Sequence, residues 1–280
     1  AWVRWTLTTF ALLALTVLVV VPVVSVFVEA FADGLSAYVR NLSEPDTRYA
    51  VLLTLTVAPA AFVLNTVFGV AAAWAISRFR FPGRTALVTL IDLPFSISPV
   101  VVGLMFVLIF GTTKGFVGPW LSSHGVHVLF TVPGLILATT FVTLPFIARE
   151  LIPVMESIGP DEELAAFSLG ANGWQIFWRV TVPNIKWGLL YGVLLCNARA
   201  MGEFGAVYVV GGRVAGETNT MPLQVEMLFS GFNTPGAFAL ASVLTLLGLV
   251  TLVLKTWVEG KKTSPQRHGD HTEGHEEDPT

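Results

Sequence analysis

Six apolar runs, each long enough to cross a membrane as a helix, constrain this chain more than any other feature of its sequence. They cover residues 7–28, 51–76, 86–110, 128–148, 187–210 and 238–258. A spanning helix needs about 20 mostly apolar residues. The alternation of apolar and polar residues that is typical of barrel strands is absent from these runs. We therefore predict an all-α, polytopic membrane bundle of six transmembrane helices.

Basic residues between the runs predict how the bundle is oriented, because short cytoplasmic loops are enriched in Lys and Arg. Arg78, Arg80 and Arg84 follow the second run without a nearby acid, and Lys261 and Lys262 follow the sixth run. The loop after the first run is acidic on balance. Both termini and the segment between the fourth and fifth runs are therefore expected on the cytoplasmic side.

This pattern divides the chain into two parts. We expect residues 1–262 to form the transmembrane domain, with one long cytoplasmic loop at about 149–186. Residues 263–280 are polar and are expected to form a disordered cytoplasmic tail. The low charge content, 12 % of all residues against about 25 % in an ordinary soluble domain, agrees with a membrane protein.

The long loop carries the most specific motif of the chain. We expect two short helices in it, the first starting at Pro160 and Asp161 and the second ending at Pro183. Gly170 allows the sharp turn between them, because glycine adopts left-handed backbone conformations without a steric cost. The motif consists of Glu162, Glu163, Leu164, Ala165, Ala166, Gly170, Val180 and Pro183.

This motif resembles the signature loop of ABC importer permeases, which reads Glu-Ala-Ala, three residues, Gly, nine residues and Ile-x-Leu-Pro. The resemblance implies the type I importer permease fold and a coupling surface that a partner ATPase grips. Leu164 stands at the usual Glu position, with the acids displaced to Glu162 and Glu163, which is expected to shift or weaken one polar contact to the ATPase. A generic amphipathic connector is the alternative interpretation.

Charged residues in the fifth run are the second distinctive feature. Arg199 and Glu203 are spaced by four residues and can pair on one helix face, whereas Asn197 lies on another face. A charge within the membrane is costly and marks either a paired interior site or a transport pathway. Three interpretations stay open: a structural ion pair, direct contact with a transported anion, and a gate that rearranges.

Residues 178–207, 90–101 and 68–76 together resemble the W-type permease subunit of bacterial sulfate/thiosulfate importers. This resemblance implies a bacterial inner-membrane location and four partners: a sister T-type permease, an ATPase dimer, a periplasmic binding protein and the sulfate anion. It also implies contact with membrane lipid and none with nucleic acid. No cofactor is expected on this chain, since ATP and Mg belong to the ATPase. The chain has no G-x-x-x-x-G-K-[ST] phosphate loop and is not expected to be an enzyme.

The third run contains further pathway or gate candidates. Asp92, Ser96 and Ser98 lie around Pro94 and Pro99, which interrupt helical hydrogen bonding. A broken helix beside a cavity offers donors to an oxyanion, but the hydroxyls can equally satisfy the local backbone of a kink. Asp92 itself would repel an anion, so we expect it to pair or to cap near an interface.

Smaller features leave their alternatives open. Gly188 and Gly192 allow close helix approach, either to a second permease or within this chain. His268, His271 and His275 in the tail indicate a solvated segment rather than a metal site. The rivals to the sulfate interpretation are a molybdate/tungstate importer permease, a secondary anion transporter or channel, and a membrane scaffold.

Overall fold

The computed structural model describes residues 2–262, which form twelve helices and no strand. The tail predicted at 263–280, with its three histidines, lies outside the described residues. In chain order the helices are α1 (Trp2–Ala30), α2 (Leu35–Ser43), α3 (Pro45–Arg78), α4 (Arg84–Ser96), α5 (Pro99–Phe110), α6 (Gly118–Ser123), α7 (Val132–Ile158), α8 (Asp161–Ser168), α9 (Gly173–Met201), α10 (Gly205–Gly211), α11 (Met221–Ser230) and α12 (Thr234–Lys262).

The predicted all-α membrane architecture is confirmed. Among the described residues, α1, α3, α7 and α12 are long and apolar enough to cross a membrane unaided. Two further spans arise if each bent pair, α4 with α5 and α9 with α10, counts as one span, which gives up to six. The six apolar runs of the sequence correspond to these four helices and two bent pairs.

Both bent pairs break inside runs that look continuous in the sequence. α4 and α5 meet at 111° across Ile97 and Ser98, and α9 and α10 meet at 55°. Ser98 has an extended backbone, with ψ 137°, because the ring of Pro99 disfavours the helical conformation in the residue before it. Pro94, by contrast, lies inside α4 and does not end it.

The prediction that Pro183 ends a separate short helix is wrong. The helix α9 runs from Gly173 to Met201, and Phe177–Thr181 form one π-helical turn within it. In a regular helix the ring of Pro183 would clash with the carbonyl of Arg179. Arg179 lies in the wider π-helical turn, which lets the helix continue past the proline.

Helix α7 forms the centre of the bundle and packs against α3, α4, α5, α9 and α10. Gly69 of α3 lies so close to α7 that an added Cβ would sit 2.8 Å from Ile147 Cγ2. Gly192 of α9 lies against Ile147 and Glu150, and Gly188 of α9 lies against Val154. The small-residue pair noted in the sequence therefore serves helix packing within this chain.

Helix α1 lies at the edge of the bundle. Its second half, Val21–Ala30, packs against α12, whereas no residue of Trp2–Leu15 is buried. Most of the exposed side chains of this first half are apolar, which suits contact with lipid or with another membrane helix.

We expect Gly69→Ala to destabilise the bundle by about 1–3 kcal/mol, because the new methyl group overpacks the contact between α3 and α7. Gly248→Ala in α12 is the matched control, since a Cβ there meets no atom within 4 Å. The thermal unfolding midpoints of the two purified variants check this expectation. Equal midpoints would contradict the close α3–α7 contact.

Candidate functional site

The motif residues of the 149–186 loop gather around α8, at the end of the bundle where α3 and α7 terminate. Pro160 precedes α8, and the first turn holds three acids, Asp161, Glu162 and Glu163, which favour a helix N-terminus. The sharp turn predicted at Gly170 is confirmed, since this residue has φ +87°. Asn172 then caps α9 in a capping box with Gln175.

Glu163 ties α8 to three membrane helices. The Arg78 guanidinium of α3 donates to both carboxylate oxygens, from Nε at 2.8 Å and from Nη2 at 3.3 Å. The same guanidinium donates from Nη1 to the carbonyl of Met155 in α7 at 2.9 Å. Thr181 of α9 donates its hydroxyl to Glu163 Oε1 at 2.8 Å. These bonds join α8 to α3 and α9 directly and to α7 through Arg78.

Both acids of the motif, Glu162 and Glu163, bond to other residues of this chain. Glu162 accepts a hydrogen bond from Asn184, and the Arg78–Glu163 pair is largely buried. From the sequence, Arg78 was interpreted only as an indicator of membrane orientation, and its ion pair with Glu163 was not predicted. The spacing of residues in the sequence could not predict this pair, because Arg78 and Glu163 lie 85 residues apart.

The outer face of α8 and of the turn after it is apolar. The side chains of Leu164, Phe167 and Leu169 are exposed, the last to 89 %, and Trp174 and Trp178 at the start of α9 are exposed as well. Ala165 is also exposed, and Ala166 is half-buried. An exposed apolar patch of this kind marks an interaction surface.

The second group of candidate residues surrounds the break between α9 and α10. The predicted Arg199–Glu203 ion pair is confirmed, with 2.6 Å between Arg199 Nη1 and Glu203 Oε2. Glu203 Oε1 also accepts the backbone N–H of Ala206 at 3.0 Å and so caps the start of α10. The Glu203 side chain is 1 % exposed, but that of Arg199 is 34 % exposed. Asn197 has a different partner, the sulfur of Met201.

Polar groups accumulate next to Glu203. Thr54, Thr139 and Thr220 line a small void beside its carboxylate. The Thr54 hydroxyl donates to the Ala50 carbonyl and accepts the N–H of Met221 at the start of α11. The bond from Met221 to Thr54 joins α3 to α11 beside Glu203.

The breaks of the two bent pairs touch each other. A Cβ added to Gly205, the first residue of α10, would lie 2.9 Å from Pro99 Cβ and 3.1 Å from Val100 N at the start of α5. Ser96 and Ser98 are exposed beside this junction, and neither hydroxyl bonds to any residue between 2 and 262. The interpretation that these hydroxyls satisfy the local backbone is therefore wrong.

Asp92 pairs with a residue that the sequence did not single out. Arg149 of α7 donates from Nε to Asp92 Oδ1 at 2.6 Å, and its guanidinium lies 5.5 Å from the ring centroid of Phe95. The expectation that Asp92 pairs is confirmed. Arg149 was missed because it follows the fourth apolar run, whereas α7 continues to Ile158.

The described part of the chain contains no group of three or more His, Cys, Asp or Glu residues that could hold a metal ion. The single cysteine, Cys196, is buried in the core beside Asn65 and Thr143. The candidate residues thus supply hydrogen-bond donors, charges and an exposed apolar face. None of them forms a nucleophile with an adjacent base.

Comparisons with known proteins agree with this arrangement. The family described as "Binding-protein-dependent transport system inner membrane component" matches residues 65–264. The "Sulfate transport system permease protein CysW" of Escherichia coli is 47 % identical over 275 residues, 98 % of this chain and 94 % of that protein. The "Sulfate transport system permease protein CysT" of the same organism is 36 % identical over 242 residues, 86 % of this chain and 87 % of that protein.

A solved structure shares the fold. The crystal structure of a bacterial alginate ABC transporter in complex with alginate pentasaccharide-bound periplasmic protein contains a chain that matches with a TM-score of 0.76. The match covers 94 % of both chains at 20 % identity. At this identity the likeness establishes the type I permease architecture and nothing about the substrate.

We expect Glu203→Ala to lower the stability of the chain by about 3 kcal/mol, because it removes the partner of Arg199 and the cap of Ala206 together. Glu203→Gln keeps a cap acceptor and should cost about half as much. Thermal unfolding of the two purified variants measures the difference. Equal losses would show that the cap contributes nothing.

Proposed function

The chain belongs to the family of binding-protein-dependent transport system inner membrane components, and on that premise we propose that it is the W-type permease subunit of an ATP-driven importer that moves sulfate across the inner membrane. The subunit forms one half of the membrane channel and performs no bond chemistry itself. Thiosulfate, a tetrahedral dianion like sulfate, is the second substrate that we propose.

One observation carries this proposal. The identity to the CysW protein, 47 % over 98 % of this chain, exceeds the 36 % identity to the CysT protein over 86 % of it. A chain that matches one sulfate permease along nearly its whole length, and the other less well, fits the W-type position. The relatives do not favour the molybdate or tungstate alternative.

The other components of the importer follow from the assignment of this chain as its W-type permease subunit. A T-type permease completes the channel, two copies of an ATPase bind from the cytoplasm, and a periplasmic binding protein delivers the anion. ATP and Mg bind to the ATPase, so this subunit needs no cofactor of its own. ATP binding closes the ATPase dimer and opens the channel outward, and hydrolysis resets it.

The surface that the ATPase grips is the one formed by α8 and the turn at Gly170. Its exposed Leu164, Phe167 and Leu169 supply an apolar contact area. The polar grip on the ATPase is weakened relative to the family pattern, since Glu162 and Glu163 bond within the chain. The remaining loop positions, Val180 and Pro183, lie in α9, where they join this surface to the fifth span.

The orientation proposed for the chain places both termini and α8 in the cytoplasm. Arg78 at the end of α3, Arg80 in the loop and Arg84 at the start of α4 support it by the distribution of basic residues. Residues 1–262 then form the permease domain and 263–280 a cytoplasmic tail.

The anion pathway runs along the two breaks. Asn197, Arg199 and Glu203 lie at one break and Ser96 and Ser98 at the other, and the contact between Pro99 and Gly205 joins them. Broken helices are tolerated in a membrane where they line a cavity or pack against protein. Glu203 fixes the geometry of its break, and the exposed edge of Arg199 faces the pathway.

Uptake of radiolabelled sulfate in cells with and without this chain tests the function. We expect ATP-dependent sulfate uptake to be lost without the chain, and thiosulfate but not molybdate to compete when it is present. Unchanged sulfate uptake, or a loss confined to molybdate, would contradict the proposed substrate.

Glu163→Gln should uncouple the importer. The amide cannot form the charged pair with Arg78, so α8 loses its rigid link to α3, and sulfate moved per ATP hydrolysed should fall about tenfold. Asp161→Asn is the matched control, since Asp161 lies in the same exposed first turn and takes part in none of these bonds. Proteoliposomes that contain the assembled importer give both rates. An unchanged ratio for Glu163→Gln would refute the link.

A further inference from the structure

Arg149 is the most exposed side chain among the five ion pairs of the described residues, and the description of the pathway has not used it. Its side chain is 56 % exposed, whereas that of its partner Asp92 is 28 % exposed. Asp92 engages Nε, and Phe95 lies 5.5 Å from the guanidinium. Among residues 2–262, none besides Asp92 accepts a hydrogen bond from Arg149. The terminal nitrogens therefore present free donors.

The depth of Arg149 makes this exposure informative. Met155, whose carbonyl binds Arg78, lies six residues further along α7, which corresponds to about 9 Å along the helix axis. Arg149 thus lies within the candidate spanning helix Val132–Ile158 and well before its end, where a charge facing lipid is unfavourable. An exposed guanidinium at this depth requires either water, a partner chain or an anion.

A cavity opens next to Arg149 between α4 and α7. It has a volume of about 220 Å³ and is lined by Val88, Ile91, Asp92, Arg149, Ile152 and Pro153. A second ion pair, Arg84 with Glu156 at 2.9 Å, joins the same two helices nearer to their ends. The cavity therefore extends from Arg149 toward the end of the bundle that we assign to the cytoplasm.

We propose that Arg149 forms a transient subsite for a tetrahedral oxyanion, sulfate in this importer, on the cytoplasmic half of its route. This inference rests on the proposed function. A guanidinium presents planar pairs of N–H donors that match the oxygens of sulfate. In this subsite Arg149 contacts the anion. Asp92 is a positioning residue, because it binds Nε of Arg149 and leaves the two terminal nitrogens of the guanidinium free to donate.

The partial neutralisation of Arg149 by Asp92 suits a site of passage. A lone buried arginine would hold a dianion tightly and slow its release, whereas conduction requires binding that is weak enough to reverse. The Phe95 ring restrains the guanidinium without donating to the anion or competing for it.

Two other roles predict different behaviour. If the Arg149–Asp92 pair only clamps α4 to α7, any arrangement that restores the pair restores transport. If Arg149 instead reaches a lipid phosphate, which offers the same oxyanion chemistry as sulfate, the side chain faces the bilayer and sulfate in solution does not affect it.

The first experiment compares variants of the assembled importer in proteoliposomes. We expect Arg149→Gln to lower the rate of ATP-driven sulfate uptake about tenfold, by loss of a charged hydrogen bond. The swap of Asp92→Arg with Arg149→Asp should restore the ion pair but not the uptake. Arg84→Gln, the matched control, removes the other α4–α7 pair and should leave uptake within about twofold of wild type.

Three outcomes of this experiment overturn the subsite: unchanged uptake in Arg149→Gln, recovery of uptake by the swap, and an equal loss in Arg84→Gln. The wild-type importer is measured in parallel. Failure of the wild type to move sulfate would refute the proposed function instead, so the two failures are distinguishable.

The second experiment uses the burial of the only native cysteine, Cys196. In a Val88→Cys importer that keeps Arg149, we expect the new thiol to react with a water-soluble methanethiosulfonate reagent and sulfate to slow this reaction, because Val88 lines the same cavity. Adding Arg149→Gln should abolish the protection, and Glu156→Cys is the control, which should react without protection by sulfate. Lack of reaction at position 88, or a reaction that sulfate does not slow or slows equally without Arg149, would assign the cavity to lipid or packing and overturn the proposal.

Discussion

Backbone groups that a helix break exposes inside a membrane must find partners within the protein, because hydrocarbon offers none. This constraint governs the centre of the molecule, where two spans are broken. Glu203 caps the start of α10, and Gly205 packs against Pro99 and Val100 at the start of α5. Each break is thus supported by the other, and the small size of Gly205 is what allows them to meet.

Five ion pairs join arginines to acids among residues 2–262, and three of them show how the exposure of the two partners differs. In the Arg199–Glu203 and Arg149–Asp92 pairs the acid is the more buried partner, so the arginine keeps an open edge. In the Arg78–Glu163 pair both side chains are mostly buried, and the pair fixes α8 instead of presenting a charge. Pairing an arginine with a carboxylate therefore leaves a charged edge exposed in two places and joins α8 to α3 in the third.

Features set by local sequence could be predicted, and features set by long-range contacts could not. The six apolar spans, the turn at Gly170 and the Arg199–Glu203 pair depend on neighbours within a few residues, and these were anticipated, although the helix bounds were not. Arg149 and Asp92 lie 57 residues apart, and Arg78 and Glu163 lie 85 apart, so no spacing rule brings them together. Pro183 was wrongly predicted to end a short helix, because a proline usually marks a helix end unless a wider turn precedes it.

The π-helical turn before Pro183 also determines the direction, around the axis of α9, in which the later side chains of this helix point. An α-helix advances by about 100° per residue, and a π-helical turn accommodates one residue more than a regular turn. The turn at Phe177–Thr181 therefore shifts the phase between the part of α9 that faces α8 and the part that carries Arg199. Removing one residue there would keep both ends of the helix intact but point them in directions that no longer correspond.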